Sequence, residues 1–111
     1  MTVHDATTAP VTVLTPTALE HEQYVDLCKV IDLGGQRIIL DLGRLPRIGS
    51  LHLGYLAGAT ARARGAGGVL VLVKPRGPYA KVLDLVGEDI LRVFETGEEA
   101  GAWLQNQAGA S

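Results

Sequence analysis

The sequence predicts an α/β fold, with a four- to five-stranded, mostly parallel or mixed sheet flanked by about four helices. Short apolar runs alternate with longer helical patterns along the whole chain, which gives the order β-α-β-α-β-α-β-α. Two of these runs, "RIILDL" at 37–42 and "GVLVLV" at 68–73, do not alternate apolar with polar residues. Both faces of those strands must therefore be covered, as in the centre of a parallel sheet.

The first strand is predicted at "VTVL", residues 11–14, and the first helix after "TPTALE". Thr17 and Glu20 in that segment have the spacing of a capping box. Gly34 and Gly35 are expected to end the helix, because glycine tolerates the left-handed turn that follows a last helical residue. The helix has one apolar stripe, formed by Tyr24, Leu27, Cys28 and Ile31.

The second helix is predicted over about 51–64, after the "RIILDL" strand. The third begins in "GPYAKVLDLVG", where Pro78 suits the first helical position, and ends at Gly87. The last strand is "ILRVF" at 90–94, and the fourth helix is the short segment "TGEEAGAWLQ". We expect one domain over 1–111, with 1–10 flexible or forming an edge strand and 105–111 a frayed tail.

The composition excludes several classes of protein. The 111 residues have a formal net charge of −2, so no basic surplus indicates nucleic-acid binding. The N-terminus lacks the pattern of a signal peptide, and the longest apolar run, "VLVLV", is far shorter than the roughly 20 residues that span a bilayer. Cys28 is the single cysteine, which excludes an internal disulfide. We expect a cytoplasmic protein without membrane insertion.

No constellation of catalytic residues is apparent. The glycine-rich "RGAGG" at 64–68 precedes a strand instead of following one, and no GxxxxGK[ST] motif occurs. The histidines His4, His21 and His52 have no ligand-like spacing with one another or with Cys28, which is expected to be a small buried apolar residue. We therefore expect no enzyme activity, no metal and no cofactor.

One stretch, "LPRIGSLHLGYLAG" at 45–58, places a serine where the second strand gives way to the second helix. The hydroxyl of Ser50 could accept a hydrogen bond from the first-turn amides, a cap typically worth about 1 kcal/mol. Exposed amides and the helix dipole also favour negative charge there, so a phosphate on Ser50 would be tolerated. The residues alone favour the simple cap.

Three longer segments, "RIILDLGRLPRIGSLHLGYL", "ARARGAGGVLVLVKPRGPYAKVLDLVG" and "ILRVFETGEEAGAWL", change that balance. Their order and spacing resemble the STAS domain of bacterial anti-sigma factor antagonists over about residues 36–104. The family motifs are a strand ending in an aliphatic-Asp-Leu run, a junction of the type aliphatic-Asp-Ser-Ser/Thr-Gly-Leu-Gly, and a terminal "f-t-eeA" helix. The resemblance implies the STAS fold.

In that family the serine after the junction aspartate accepts a phosphate from a partner that is both serine kinase and anti-sigma factor. The resemblance places this role on Ser50, and Leu53 with Gly54 matches the family's Leu-Gly. Three neighbours depart from the motif: Gly49 replaces the aspartate, Leu51 the second hydroxyl residue and His52 the glycine. The implied partner surface lies within residues 47–55 and comprises Arg47, Gly49, Ser50, Leu51, His52, Gly54 and Tyr55.

A basic cluster follows the third strand, in "KPRGPY". Strand order places Lys74 and Arg76 at the same edge of the sheet as Ser50. They form either a solvated loop or a contact for an acidic partner surface or a phosphate on Ser50.

Two further functions stay open. The missing junction aspartate motivates a non-phosphorylated STAS subunit of a larger assembly, such as a lipid-transport or stress-signalling complex. Some relatives are proposed to bind nucleotides, so the chain could be a small-molecule-binding module, although no phosphate loop supports this.

Overall fold

The structure is a computed structural model that describes residues 11–75, 77, 80–84, 86–87 and 89–110, with side chains through residue 106. Four strands alternate with four helices in the predicted order. The elements are β1 (Thr12–Leu14), α1 (His21–Ile31), β2 (Arg37–Asp41), α2 (Ser50–Gly65), β3 (Val69–Val73), α3 (Ala80–Asp84), β4 (Val93–Phe94) and α4 (Gly97–Ala110).

The strands form one parallel sheet in the order β1-β2-β3-β4. The central pair is in register from Arg37 opposite Val69 to Asp41 opposite Val73. The predicted α/β fold with a mostly parallel sheet is confirmed, and the described residues contain four strands.

Both faces of the central strands are buried, as their continuous apolar sequence predicts. Alternate residues of β2 and β3 pack on opposite sides. One face carries α1, α2 and α3, whose Leu27, Leu56 and Leu83 belong to the same apolar cluster. The strand residues of that cluster include Ile38, Leu40, Leu70 and Leu72.

The other face is covered by α4. Ala100 and Leu104 of this helix are both 0% exposed and pack with Ile39, Val71 and Val73. Trp103, the single tryptophan of the chain, packs at the border of this cluster. Its ring is tilted against Phe94 at 5.8 Å between centroids, and the Arg92 guanidinium lies 4.6 Å from its ring centroid. The sheet is thus packed unequally, with three helices on one face and α4 on the other.

The amino edge of the sheet is closely packed. The apolar stripe of α1 is buried as predicted at Leu27, Cys28 and Ile31, and Gly34 follows the helix with a φ of +85°. Gly68, just before β3, faces the backbone of Gln36, where an added Cβ would lie 2.3 Å from the carbonyl oxygen. Only glycine allows the two chain segments to approach this closely.

An ion pair links the ends of α1 and α2 at this same edge. The guanidinium of Arg62 donates two hydrogen bonds of 2.7 Å to the carboxylate of Asp32. The bound guanidinium lowers the pKa of Asp32, chiefly through the hydrogen bonds, against an opposing effect of burial. Both side chains are about half exposed, so the pair holds the helix ends in place without a large gain in stability.

Four boundary predictions differ from the structure. The last strand was predicted at 90–94, but β4 is limited to Val93–Phe94. The cap of α1 is Glu20 and not Thr17, because the N–H of Glu20 donates to Oε1 of Gln23 at 2.9 Å. Among the described residues α3 spans Ala80–Asp84, with Val86 already outside the helix, and α4 continues through Ala110, past the expected end at 105. The edge strand expected within 1–10 and the start of the third helix at Pro78 lie outside the described residues.

Candidate functional site

Residues 47–55, called the junction below, lie beyond the carboxyl end of β2 and include the first turns of α2. Three buried side chains anchor the chain here, Leu42 and Leu45 before the junction and Ile48 within it. The N–H of Leu45 donates to the carbonyl of Leu42 at 3.1 Å, which folds the loop back over the core. Residues between and after the anchors are left at the surface, including Arg47, Gly49 and Ser50.

Ser50 is the first helical residue of α2, and the expectation that it caps the helix is wrong. The cap is Gly49, whose backbone is extended with φ −120° and ψ −173°, and no side chain caps the first-turn amides. A residue that is already helical cannot aim its hydroxyl at those amides as an N-cap residue does. Ser50 is exposed, and within the described part of the chain its hydroxyl makes no hydrogen bond.

His52 makes the hydrogen bond that fixes the start of α2. Its Nδ1 accepts the N–H of Gly49 at 2.9 Å, across three residues. The helix proper begins with the N–H of Leu53 donating to the carbonyl of Gly49 at 3.1 Å. A ring nitrogen accepts a hydrogen bond only while it carries no proton, so this bond requires Nδ1 to be unprotonated.

Leu51 is the most prominent apolar side chain of the junction, with 65% of its surface exposed. It borders a groove of about 360 Å³ between the junction and the segment that leads into α1. The groove contains one charge of each sign, on Glu20 and Arg47. Its lining residues are Thr17, Ala18, Leu19, Glu20, Leu45, Pro46, Arg47, Leu51 and His52.

Gly54 and Tyr55 differ in accessibility. Gly54 is exposed, and a side chain there would meet no atom within 4 Å. Tyr55 is half-buried and stacks on Tyr24 of α1, with ring centroids 4.7 Å apart. The pKa of Tyr24 is raised, first by its hydrogen bond to Cys28 and then by burial. The stacking of Tyr55 on Tyr24 holds α2 against α1.

Lys74 lies in a different group of side chains from the junction. Its ammonium is 2.8 Å from Oε2 of Glu95 and 3.6 Å from Oδ1 of Asp84, and the side chain is 24% exposed. These two carboxylates, Glu95 first, raise the pKa of Lys74. The amine is thus already paired within the chain, while Arg76 lies outside the described residues.

Lys74 also lines a cavity of about 680 Å³ at the carboxyl ends of all four strands. None of residues 47–55 lines it. Sequence reasoning missed both acidic partners of Lys74, since Asp84 and Glu95 lie in separate later elements with no spacing rule that connects them to Lys74. The lining residues are Thr15, Asp41, Gly43, Arg44, Val73, Lys74, Pro75, Ala80, Glu95, Thr96 and Gly97.

Among the described residues, no three His, Cys, Asp or Glu side chains are grouped so that they could hold a metal ion. None of the helices in that part of the chain has the length and apolar character needed to cross a membrane.

Comparison with solved structures identifies a clear neighbour. The chain is similar to a Thermotoga maritima protein, TM1081, described as a candidate anti-sigma factor antagonist, with a TM-score of 0.70 and 26% identity over 86% of this chain and 87% of the neighbour. The NMR structure of TM1081 gives a TM-score of 0.68 at the same identity, over 86% and 82% of the two chains. No protein-family model and no curated protein matches the sequence. The expected resemblance to the anti-sigma factor antagonists and their STAS fold is confirmed by the structural match.

Proposed function

We propose that this chain is a cytoplasmic, non-enzymatic regulator of the anti-sigma factor antagonist type, which binds its protein partner through the junction. The observation that carries the proposal is that Leu51, 65% exposed, follows directly after Ser50, whose exposed hydroxyl makes no hydrogen bond among the described residues. Leu51 also borders the groove of about 360 Å³ between the junction and the segment that leads into α1, which offers a partner a concave surface to fill. The similarity to TM1081 supports the same role.

The partner that fits best is an anti-sigma factor with serine kinase activity, as an antagonist must bind an anti-sigma factor. We propose Ser50 as the acceptor of its phosphate. The hydroxyl is exposed at a helix start, where the dipole stabilises added negative charge. Phosphate would place roughly two charges beside Leu51 and weaken docking of an apolar partner surface.

The proposed contact surface is centred on Arg47, Ser50 and Leu51. His52 and Tyr55 support this surface from within the chain. His52 binds the N–H of Gly49, and Tyr55 stacks on Tyr24. Lys74 is a weaker candidate for contact with the partner, because its ammonium is already paired with Glu95 and Asp84. The residues of the proposed contact surface are Arg47, Gly49, Ser50, Leu51, His52, Gly54 and Tyr55.

The proposal is tested by titrating the purified protein against the anti-sigma factor kinases of its host, with and without ATP and Mg²⁺. The cognate kinase should bind the unmodified protein and incorporate one phosphate, which Ser50→Ala should abolish. The chain has one other serine, Ser111, so the modified serine is easily assigned. Thr17→Ala, which changes an exposed hydroxyl in the neighbouring groove, is the matched control and should be labelled like wild type.

Labelling that persists in Ser50→Ala would refute Ser50 as the acceptor. Stable binding that is indifferent to ATP and to Ser50→Ala would instead favour the second candidate, a non-phosphorylated STAS subunit. The replacement of the family aspartate by Gly49 favours that candidate. Absence of binding to every anti-sigma factor kinase of the host would overturn the partner assignment.

A further inference from the structure

The start of α2 depends on a side chain that can change its protonation state. Gly49 has no side chain with which to cap the helix, and the bond from its N–H to Nδ1 of His52 is the side-chain hydrogen bond that closes this start. An imidazole accepts a hydrogen bond at Nδ1 only while that nitrogen is unprotonated.

The same arrangement occurs at the start of α1 with a residue that does not titrate. There the cap is Glu20, and its N–H donates to Oε1 of Gln23 at 2.9 Å, the same distance and the same three-residue spacing as at α2. The molecule thus contains one helix start closed by a glutamine and another closed by a histidine.

The charged groups that face His52 come from both sides of its groove. Glu20 projects from the start of α1, and Arg47 from the loop before α2. The other groove residues are uncharged. The groove thus carries one charge of each sign, and the interaction that fixes the His52 ring is its bond to the N–H of Gly49.

We propose that His52 is the positioning residue of the junction, and that its protonation opens the start of α2. Protonation turns Nδ1 from acceptor into donor, which breaks the bond to Gly49, and it places a positive charge at the positive end of the helix dipole. Histidine is the side chain best suited to change its charge under physiological conditions, so this bond can respond to pH. Ser50 and Leu51, the next two residues after Gly49, lose their fixed presentation when this happens.

The structural half of this inference is tested by NMR without any partner. The protection of the Gly49 amide against exchange with water should fall about fivefold from pH 8 to pH 5, the factor that corresponds to one typical capping bond. The fall should follow the protonation of the His52 ring, read from its C–H resonances. The Glu20 amide, which is bound by Gln23, is the internal control and should keep its protection.

Three variants separate positioning from simple structural support. His52→Gln should preserve the protection at every pH, since the glutamine oxygen can accept as Gln23 does at α1. His52→Ala should lose it at every pH. His21→Ala removes an exposed histidine from a different helix, α1. It should leave the pH dependence of Gly49 amide protection as in wild type. Constant protection of Gly49 while the His52 ring titrates would refute the proposal, as would a wild-type pH profile in His52→Gln.

The regulatory half rests on the proposed function. Partner affinity should fall about fivefold between pH 8 and pH 5 for wild type and stay level for His52→Gln. If the Gly49 amide responds while affinity for an identified partner does not, the positioning role stands and the junction is not the binding surface. If neither responds, the role of His52 is refuted whatever the partner binds.

Discussion

The helices α2 and α4 both begin at the carboxyl edge of the sheet, but their first turns are built differently. At α4, Oγ1 of Thr96 accepts the N–H of Glu99 at 3.1 Å, and Oε1 of Glu99 accepts the N–H of Glu95 at the same distance. At α2, Ser50 makes no such bond among the described residues, and His52 alone reaches back. A hydroxyl used as a cap cannot be offered to a partner, so α4 gains stability where α2 keeps Ser50 accessible.

The largest difference between the two helix starts should appear in partner binding. Leu51→Asp should weaken binding by about 100-fold, as expected for an apolar anchor replaced by a charge. Folding should be nearly unaffected, because an acidic side chain in the first turn suits the helix dipole. Calorimetric titration with the partner and urea unfolding provide the two measurements.

Leu33→Asp is the matched control for that variant. Leu33 is 74% exposed but lies in the turn after α1, at the opposite edge of the sheet. Binding should match wild type. Equal loss of affinity in Leu51→Asp and Leu33→Asp would show that the junction is not the partner-binding surface.

The next effect concerns stability and compares the two hydroxyls directly. Thr96→Ala should lower the free energy of unfolding by about 1 kcal/mol, since it removes the acceptor for the N–H of Glu99. Ser50→Ala should change it by less than about 0.5 kcal/mol, as for other exposed side chains without a partner. Urea titrations of both variants measure the difference, and equal losses would contradict the contrast between α2 and α4.

A smaller effect should follow when the α2 start is given a side-chain cap. Gly49→Asp restores the residue that the family motif has at this position, and the extended backbone of Gly49 accommodates it. The added Cβ would have His52 Nδ1 as its nearest neighbour, at 4.0 Å. The free energy of unfolding should rise by about 0.5 kcal/mol, because aspartate improves on glycine only modestly as a cap. A loss of stability would indicate that the first-turn amides are not available.

The smallest effect is confined to high pH and concerns Lys74 beside α4. Its pKa is raised in the folded chain by Glu95 and Asp84, so its contribution to stability is complete below the ordinary lysine pKa and is lost as pH rises through the folded value. Lys74→Met should therefore unfold with a shallower dependence on pH above about 10. Lys29→Met, at an exposed lysine 3.9 Å from Asp26, is the control and should retain the wild-type slope in alkaline unfolding curves.

The strands and the core could be predicted because their physical cause is local. Continuous apolar sequence in β2 and β3 requires burial on both faces, and the stripe of α1 is buried at Leu27, Cys28 and Ile31. The end of α3 was predicted at Gly87, whereas Val86, the residue before it, already lies outside the helix. Propensity alone does not decide where so short a helix ends.

The candidate site was less predictable because its details depend on backbone angles and distant partners. Whether Gly49 or Ser50 is the cap depends on which residue is extended, and both residue types are accepted there. The bond from His52 to Gly49 has the three-residue spacing of a capping box, but with a histidine in place of glutamate or glutamine. The charge of Lys74 could not be assigned from "KPRGPY", because Glu95 approaches it from the far end of β4.

The position of Trp103 has a practical consequence for following these events. As the single tryptophan, partly buried on α4 at the border of the apolar cluster that joins this helix to the sheet, it reports the loss of that packing and therefore global unfolding. Its face of the sheet is opposite to the one that carries α2. The fluorescence of Trp103 should thus report unfolding of this protein. Binding of a partner at the start of α2 should leave that emission unchanged, apart from any fluorescence of the partner itself.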